Sequence, residues 1–165
     1  MKRIVFLVIL LVYLASLQGQ SYTMTNGQTI TTCSGTFYDP GGPNGNYGNN
    51  LNYTQTFVSA TPGMCLRVVF SSFYLESSSF DYLRIYNGTS ASGQLIGTYD
   101  GTDSPGTVTS YTGALTFVFH SDVSIGGTMA AMGNIVQSIN TATQIFHKIT
   151  LAISFKGTPT SKIHI

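Results

Sequence analysis

The chain has 165 residues, 42% of them hydrophobic and only 8% charged, with a formal net charge of +1 at pH 7. A chain so poor in charge has no basic patch to hold a phosphate backbone, so nucleic acid is excluded as a partner. Its length suffices for one domain with a buried core plus extras, and its wealth of Ser, Thr, Gly, Asn and Tyr suits extracellular β-structure better than a cytosolic helical enzyme.

Residues 1–20 read as a signal peptide. Lys2-Arg3 give the positive start, Ile4 to Leu14 the apolar run, and Ala15, Ser16 and Gly19 the small residues a signal peptidase needs. The run is too short for a confident membrane span, although an uncleaved anchor is the alternative. No cysteine follows it directly, against a lipoprotein. The mature chain is expected to begin near Gln20, to be exported, and to carry no membrane span.

Only Cys33 and Cys65 are present. In an exported chain two cysteines point to one disulfide, the alternative being two buried thiols. Such a bridge would stabilise the fold by about 3–4 kcal/mol in the loop-entropy model.

In chain order, Gln28 to Cys33 alternates, and 41–50 (GGPNGNYGNN) is irregular loop with Tyr47 at its middle. Tyr53 to Val58 and Met64 to Phe70 alternate on either side of Thr61-Pro62-Gly63, which predicts a hairpin. Residues 70–88 hold two further runs of strand spacing with Glu76 and Asp81 between them, and Asn87-Gly88 signals a tight turn. Leu95 to Tyr99 is a short strand, 101–106 a turn-rich link, and Ala114 to His120 the strongest β run. Short strands at regular spacing predict an all-β sandwich. All six acids and all ten tyrosines precede residue 123, so 129–165 is set apart as an atypical tail: a divergent last strand, a linker or a sequence error. Within it Gln144 to Phe155 alternates weakly.

The series Cys33-x-Gly35, Pro62-Gly63, Leu66-x-Val68-x-Phe70, Phe73-x-Leu75-Glu76, Asp81-Tyr82-Leu83-x-Ile85-Tyr86-x-Gly88, Leu95-Ile96-Gly97 and Leu115-x-Phe117-x-Phe119-x-Ser121-Asp122 resembles the CUB domain. The likeness is greatest to the versions in secreted bacterial proteins and covers about residues 30–128, within a domain of 21–128. It implies a jelly-roll sandwich of two antiparallel sheets. It also implies a non-catalytic extracellular or cell-surface module that binds protein or glycan ligands, often beside a peptidase. Many members hold calcium at one end of the sandwich, through acids that fall here on Glu76, Asp81 and Asp122. Tyr47 is the counterpart of a supporting loop tyrosine, and Tyr47, Glu76 and Asp122 mark the ligand-binding end. The family's aromatic at the start of its closing strand is missing from Gly127-Thr128-Met129-Ala130-Ala131.

Calcium takes six to eight hard oxygens, which three carboxylates and backbone carbonyls from 121–124, Ser124 among them, would supply. The alternative is that the acids are solvated or cap turns. His120, Ser121 and Asp122 are not a catalytic triad, because neighbours on a strand alternate faces. His147 and His164 lack a third ligand at zinc spacing. Tyr38, Tyr47, Tyr74 and Tyr99 either offer stacking faces to a glycan or edge the core. Asn52-Tyr53-Thr54 and Asn87-Gly88-Thr89 are glycosylation sequons. Two readings remain: a calcium-stabilised secreted binding or adhesion module, or an accessory structural domain or fragment of a larger secreted enzyme.

Overall fold

The computed structural model describes residues 20–76, 80–124 and 132–139. Among these residues there are ten strands and no helix: β1 (Ser21–Thr23), β2 (Gln28–Thr32), β3 (Ser34–Tyr38), β4 (Asn52–Ser59), β5 (Met64–Ser72), β6 (Tyr82–Asn87), β7 (Gln94–Tyr99), β8 (Thr107–Thr109), β9 (Ala114–His120) and β10 (Met132–Ile139). They form two five-stranded sheets, ordered β1-β3-β10-β5-β8 and β2-β4-β9-β6-β7. The predicted signal peptide and the run 144–155 lie outside the described residues. No helix among the described residues is long and apolar enough to cross a membrane.

Period-two patterning gives each sheet its inner face. In β9, Leu115, Phe117 and Phe119 point inward, each 2% exposed or less. Phe37 meets Phe57 edge-on at 4.9 Å and lies 5.1 Å from Phe117, so aromatic rings from both sheets interlock at the centre. Such pairs contribute about 0.5–1.5 kcal/mol each beyond their burial. Leu66, Val68, Leu83, Ile85, Val108 and Ile135 complete this core.

The sheets are not wholly antiparallel. β1 pairs β3 in parallel, and β2 pairs β4 in parallel. Parallel neighbours need a crossover, and the intervening strand in the opposite sheet supplies it in both cases. The expected turn at Asn87-Gly88 is longer than a tight hairpin. Gly88 takes a φ of 137°, but the chain reverses through Ser90 to Gly93, closed by Gly93 N donating to Ser90 O.

β10 is the largest addition to the sequence reading. Part of the tail that was set apart pairs with β3 on one side and with β5 along Met132 to Ile139 on the other. A strand so placed has ladder partners on both flanks, which offsets its weak β pattern.

The Cys33–Cys65 bridge is not formed. Cys33 is exposed at the bend before β3, whereas Cys65 is buried in β5, and both are free thiols. β10 runs between β3 and β5. Two strand spacings, roughly 9–10 Å, therefore separate the two backbones, beyond the roughly 7 Å that a disulfide can span.

Candidate metal centre

Asp81 and Asp122 are brought together by the β6–β9 ladder. Tyr82 pairs with His120, so the residues just beyond the ladder's end face one another. There Asp122 N donates to Asp81 Oδ1 at 2.9 Å. Glu76 follows the end of β5 outside any ladder. It is fixed by Leu75 N donating to Gly101 O (2.9 Å) and Gly101 N donating to Glu76 O (3.3 Å). One carboxylate oxygen from each of Glu76, Asp81 and Asp122 lies within 4.8 Å of the others.

The three acids differ in environment. Asp81 is fully buried, and its other oxygen accepts from Tyr47 Oη at 2.6 Å. Its partners are thus a phenol and an amide, neither of which carries positive charge. Tyr47 Oη also accepts from Glu76 N at 3.2 Å, and the ring stands edge-on to Phe119 at 4.9 Å. At 6% exposure, Tyr47 supports the acids from beneath, while the partly exposed Glu76 and Asp122 form the outer edge.

Ser124, expected to offer a carbonyl, joins the site through its hydroxyl and amide. Its N and Oγ each donate to Asp122 Oδ1 at 2.7 Å, and Oγ lies 3.2 Å from Glu76 Oε2. These hydrogen bonds hold the Asp122 carboxyl below its ordinary pKa, with a smaller contribution from the charge of His120. One hydroxyl proton cannot serve both Asp122 and Glu76 at once.

The loop 48–51 is laced to the end of β9. Ser121 Oγ donates to Gly48 O (2.7 Å) and accepts from Leu51 N (3.0 Å), and Asn50 N donates to Asp122 O (2.6 Å). Asn50 takes a φ of 57°, a left-handed conformation that Asn tolerates. Neither this lacing nor the Gly101 anchor had a sequence signal, since both join residues far apart in the chain.

His120 bonds Asn52 Oδ1 through Nδ1 at 2.7 Å, while Ser121 is buried and bonds the 48–51 loop. His120, Ser121 and Asp122 therefore form no triad. Of the four tyrosines weighed as a glycan surface, Tyr47 is buried, Tyr38 is half-buried, Tyr99 packs against the core and Tyr74 is exposed.

The cluster offers an all-oxygen, anionic donor set with a buried carboxylate and an open outer edge. That chemistry fits a hard divalent cation such as calcium and does not suit zinc.

A family profile described as the CUB domain matches residues 26–128. Neuropilin-2 of Rattus norvegicus is 35% identical over 107 residues, 59% of this chain and 11% of that protein. Cubilin of Canis lupus familiaris is 33% identical over 106 residues, 60% of this chain and 3% of that protein. The chain thus spans a small part of these relatives. They are mammalian, and the expected bacterial variety is not supported. A crystal structure of the MASP-1 CUB2 domain bound to Ca2+ superposes with a TM-score of 0.57 at 19% identity, covering 68% of this chain and 99% of that one. With the sandwich observed and the profile spanning more than half of the sequence, the chain belongs to the CUB domain family.

Proposed function

We propose that the chain is a secreted, non-catalytic CUB module whose acidic end holds calcium and presents its loops to an extracellular protein or glycan. CUB domains are extracellular protein-binding modules, and that much comes with the family. The finer reading is carried by the convergence of Glu76, Asp81 and Asp122 within 4.8 Å of one another. These three carboxylates would hold the ion, with Tyr47 fixing Asp81 and Ser124 fixing Asp122. Bound calcium supplies the positive charge that lets three carboxylates share one end of the sandwich. The MASP-1 CUB2 structure contains Ca2+, a property of that domain that agrees with this reading.

The test is thermal melting of the chain from Gln20 onward in millimolar calcium and in chelator. Extracellular sites bind at about 0.1–1 mM, so saturation is expected to add about 1 kcal/mol. For a domain of this size that raises Tm by roughly 4–8 °C. A rise that disappears in Asp122→Ala supports the reading, and a flat response in folded protein overturns it. A second reading, an accessory structural domain of a longer secreted enzyme, draws on the small share of each relative that the chain covers.

A further inference from the structure

The two sequons occupy very different places in the fold. Asn87 ends β6, half-buried, and its Oδ1 accepts from Tyr111 N at 3.2 Å and lies within hydrogen-bond distance of the Ser110 and Thr112 hydroxyls (2.9 and 3.1 Å), whose protons Ala114 O also attracts. Because a backbone amide is among these donors, the oxygen must face the turn, which fixes the whole amide. Asn87 thus sits in a half-buried joint between β6 and the turn before β9, where a sugar on its Nδ2 has less room than on an exposed strand.

Asn52 opens β4 and is exposed. In β4 the side chains of Gln55 and Phe57 are buried, so by alternation Asn52 and the sequon's Thr54 belong to the outer face of the sheet. Asn52 pairs with His120 of β9, and His120 with Tyr82 of β6, making one row across three strands. The His120 and Tyr82 rings stack at 5.0 Å and 26°, and the Arg84 guanidinium lies 4.3 Å from the Tyr82 centroid. The Asn52–His120 bond uses Oδ1, which an N-linked sugar leaves intact. Its Nδ2 therefore stands beside a flat aromatic surface of the kind that sugar C–H groups pack on.

We propose that Asn52, and not Asn87, carries an N-linked glycan, whose first sugar lies against the Tyr82–His120 pair. The donor is a lipid-pyrophosphate-linked oligosaccharide. Asn52 Nδ2 attacks C1 of the first sugar, the Nδ2–C1 bond replaces the C1–O bond, the lipid pyrophosphate leaves, and Nδ2 gives up one proton. No electrons are transferred. The glycan would cover the outer face of β4, β9 and β6, and leave the acidic end to other ligands.

The proposal rests on the reading that the chain is exported, so the experiment separates the two. The full chain is expressed in a eukaryotic secretory cell line, with a parallel version in which a foreign secretory leader precedes Gln20. Its appearance in the medium is scored apart from glycan occupancy, which is read by glycopeptide mass spectrometry after peptide N-glycosidase treatment. Occupancy at Asn52 is expected, with loss in Asn52→Gln and Thr54→Ala and retention in Asn87→Gln. Failure of the native leader alone would overturn export and leave the leader-swapped chain to decide the site. Secreted chain bare at Asn52, or sugar at Asn87, would overturn the proposal.

Discussion

Tyr47 Oη donates to the buried carboxylate of Asp81 at 2.6 Å across 34 residues of sequence, joining the irregular loop 41–50 to the start of β6. The same oxygen receives the Glu76 amide, so one phenol holds two of the three acids in place. Tyr47→Phe keeps the ring against Phe119 and removes only this oxygen. A hydrogen bond to a charged group contributes about 1.5–3 kcal/mol, so Tm is expected to fall by several degrees. Melting in chelator checks it, and a wild-type Tm would count against the linkage.

Asp81 and Glu76 should separate stability from metal binding. Asp81→Ala leaves Tyr47 Oη and Asp122 N without their acceptor, at about 1–3 kcal/mol each, with or without calcium. Among the described residues the Glu76 carboxylate meets an exposed hydroxyl, so the stability of Glu76→Gln in chelator should stay within about 0.5 kcal/mol of wild type. Its calcium-dependent rise in Tm should be lost. Denaturant melts of both variants, with and without calcium, provide the comparison.

The depressed Asp122 carboxyl predicts a specific acid dependence. Its folded pKa lies below the ordinary 3.8, so its contribution is complete above that value and lost as pH falls through the folded value. Ser124→Ala removes the hydroxyl that chiefly lowers it, and should move the Asp122 titration upward. Carboxyl carbon NMR between pH 6 and 2 follows it, and an unmoved titration would mean that Ser124 is not the cause.

The free cysteines should differ in reactivity. Exposed Cys33 is expected to react with a thiol reagent in the native protein, and buried Cys65 only after denaturation. A native thiol count of zero that rises on reduction would show a bridge after all.

The inclusion of β10 can be tested by truncation. A chain ending at residue 128 lacks the strand between β3 and β5 and should not melt cooperatively, while one reaching 140 should. Ile135 of β10 is 1% exposed and lies in the core. Ile135→Ala should cost about 2–5 kcal/mol in denaturant titration.

The sequence by itself determined the strands with strong alternation. β9 falls on the predicted Ala114 to His120, β4 and β5 differ from their predicted spans by a residue or two, and of the two runs read in 70–88 the second is β6 while 73–76 form no strand. The three acids and the loop tyrosine are singled out as a set through the resemblance to the CUB domain, because no local residue signal marks them as neighbours in space. What the sequence could not supply were relations between distant segments. β1, β3 and β8 are short, and β10 (MGNIVQSI) has little pattern, so each exists through the neighbour it pairs with. Side-chain period decides which face a residue takes, but not which strand lies beside it. That choice placed β10 between the two cysteines and kept them apart. It likewise buried Asp81 beneath Tyr47, left Asp122 to Ser124, and gave the two sequons opposite surroundings. Burial and partnership are properties of packed sheets, and only the tertiary structure could decide them.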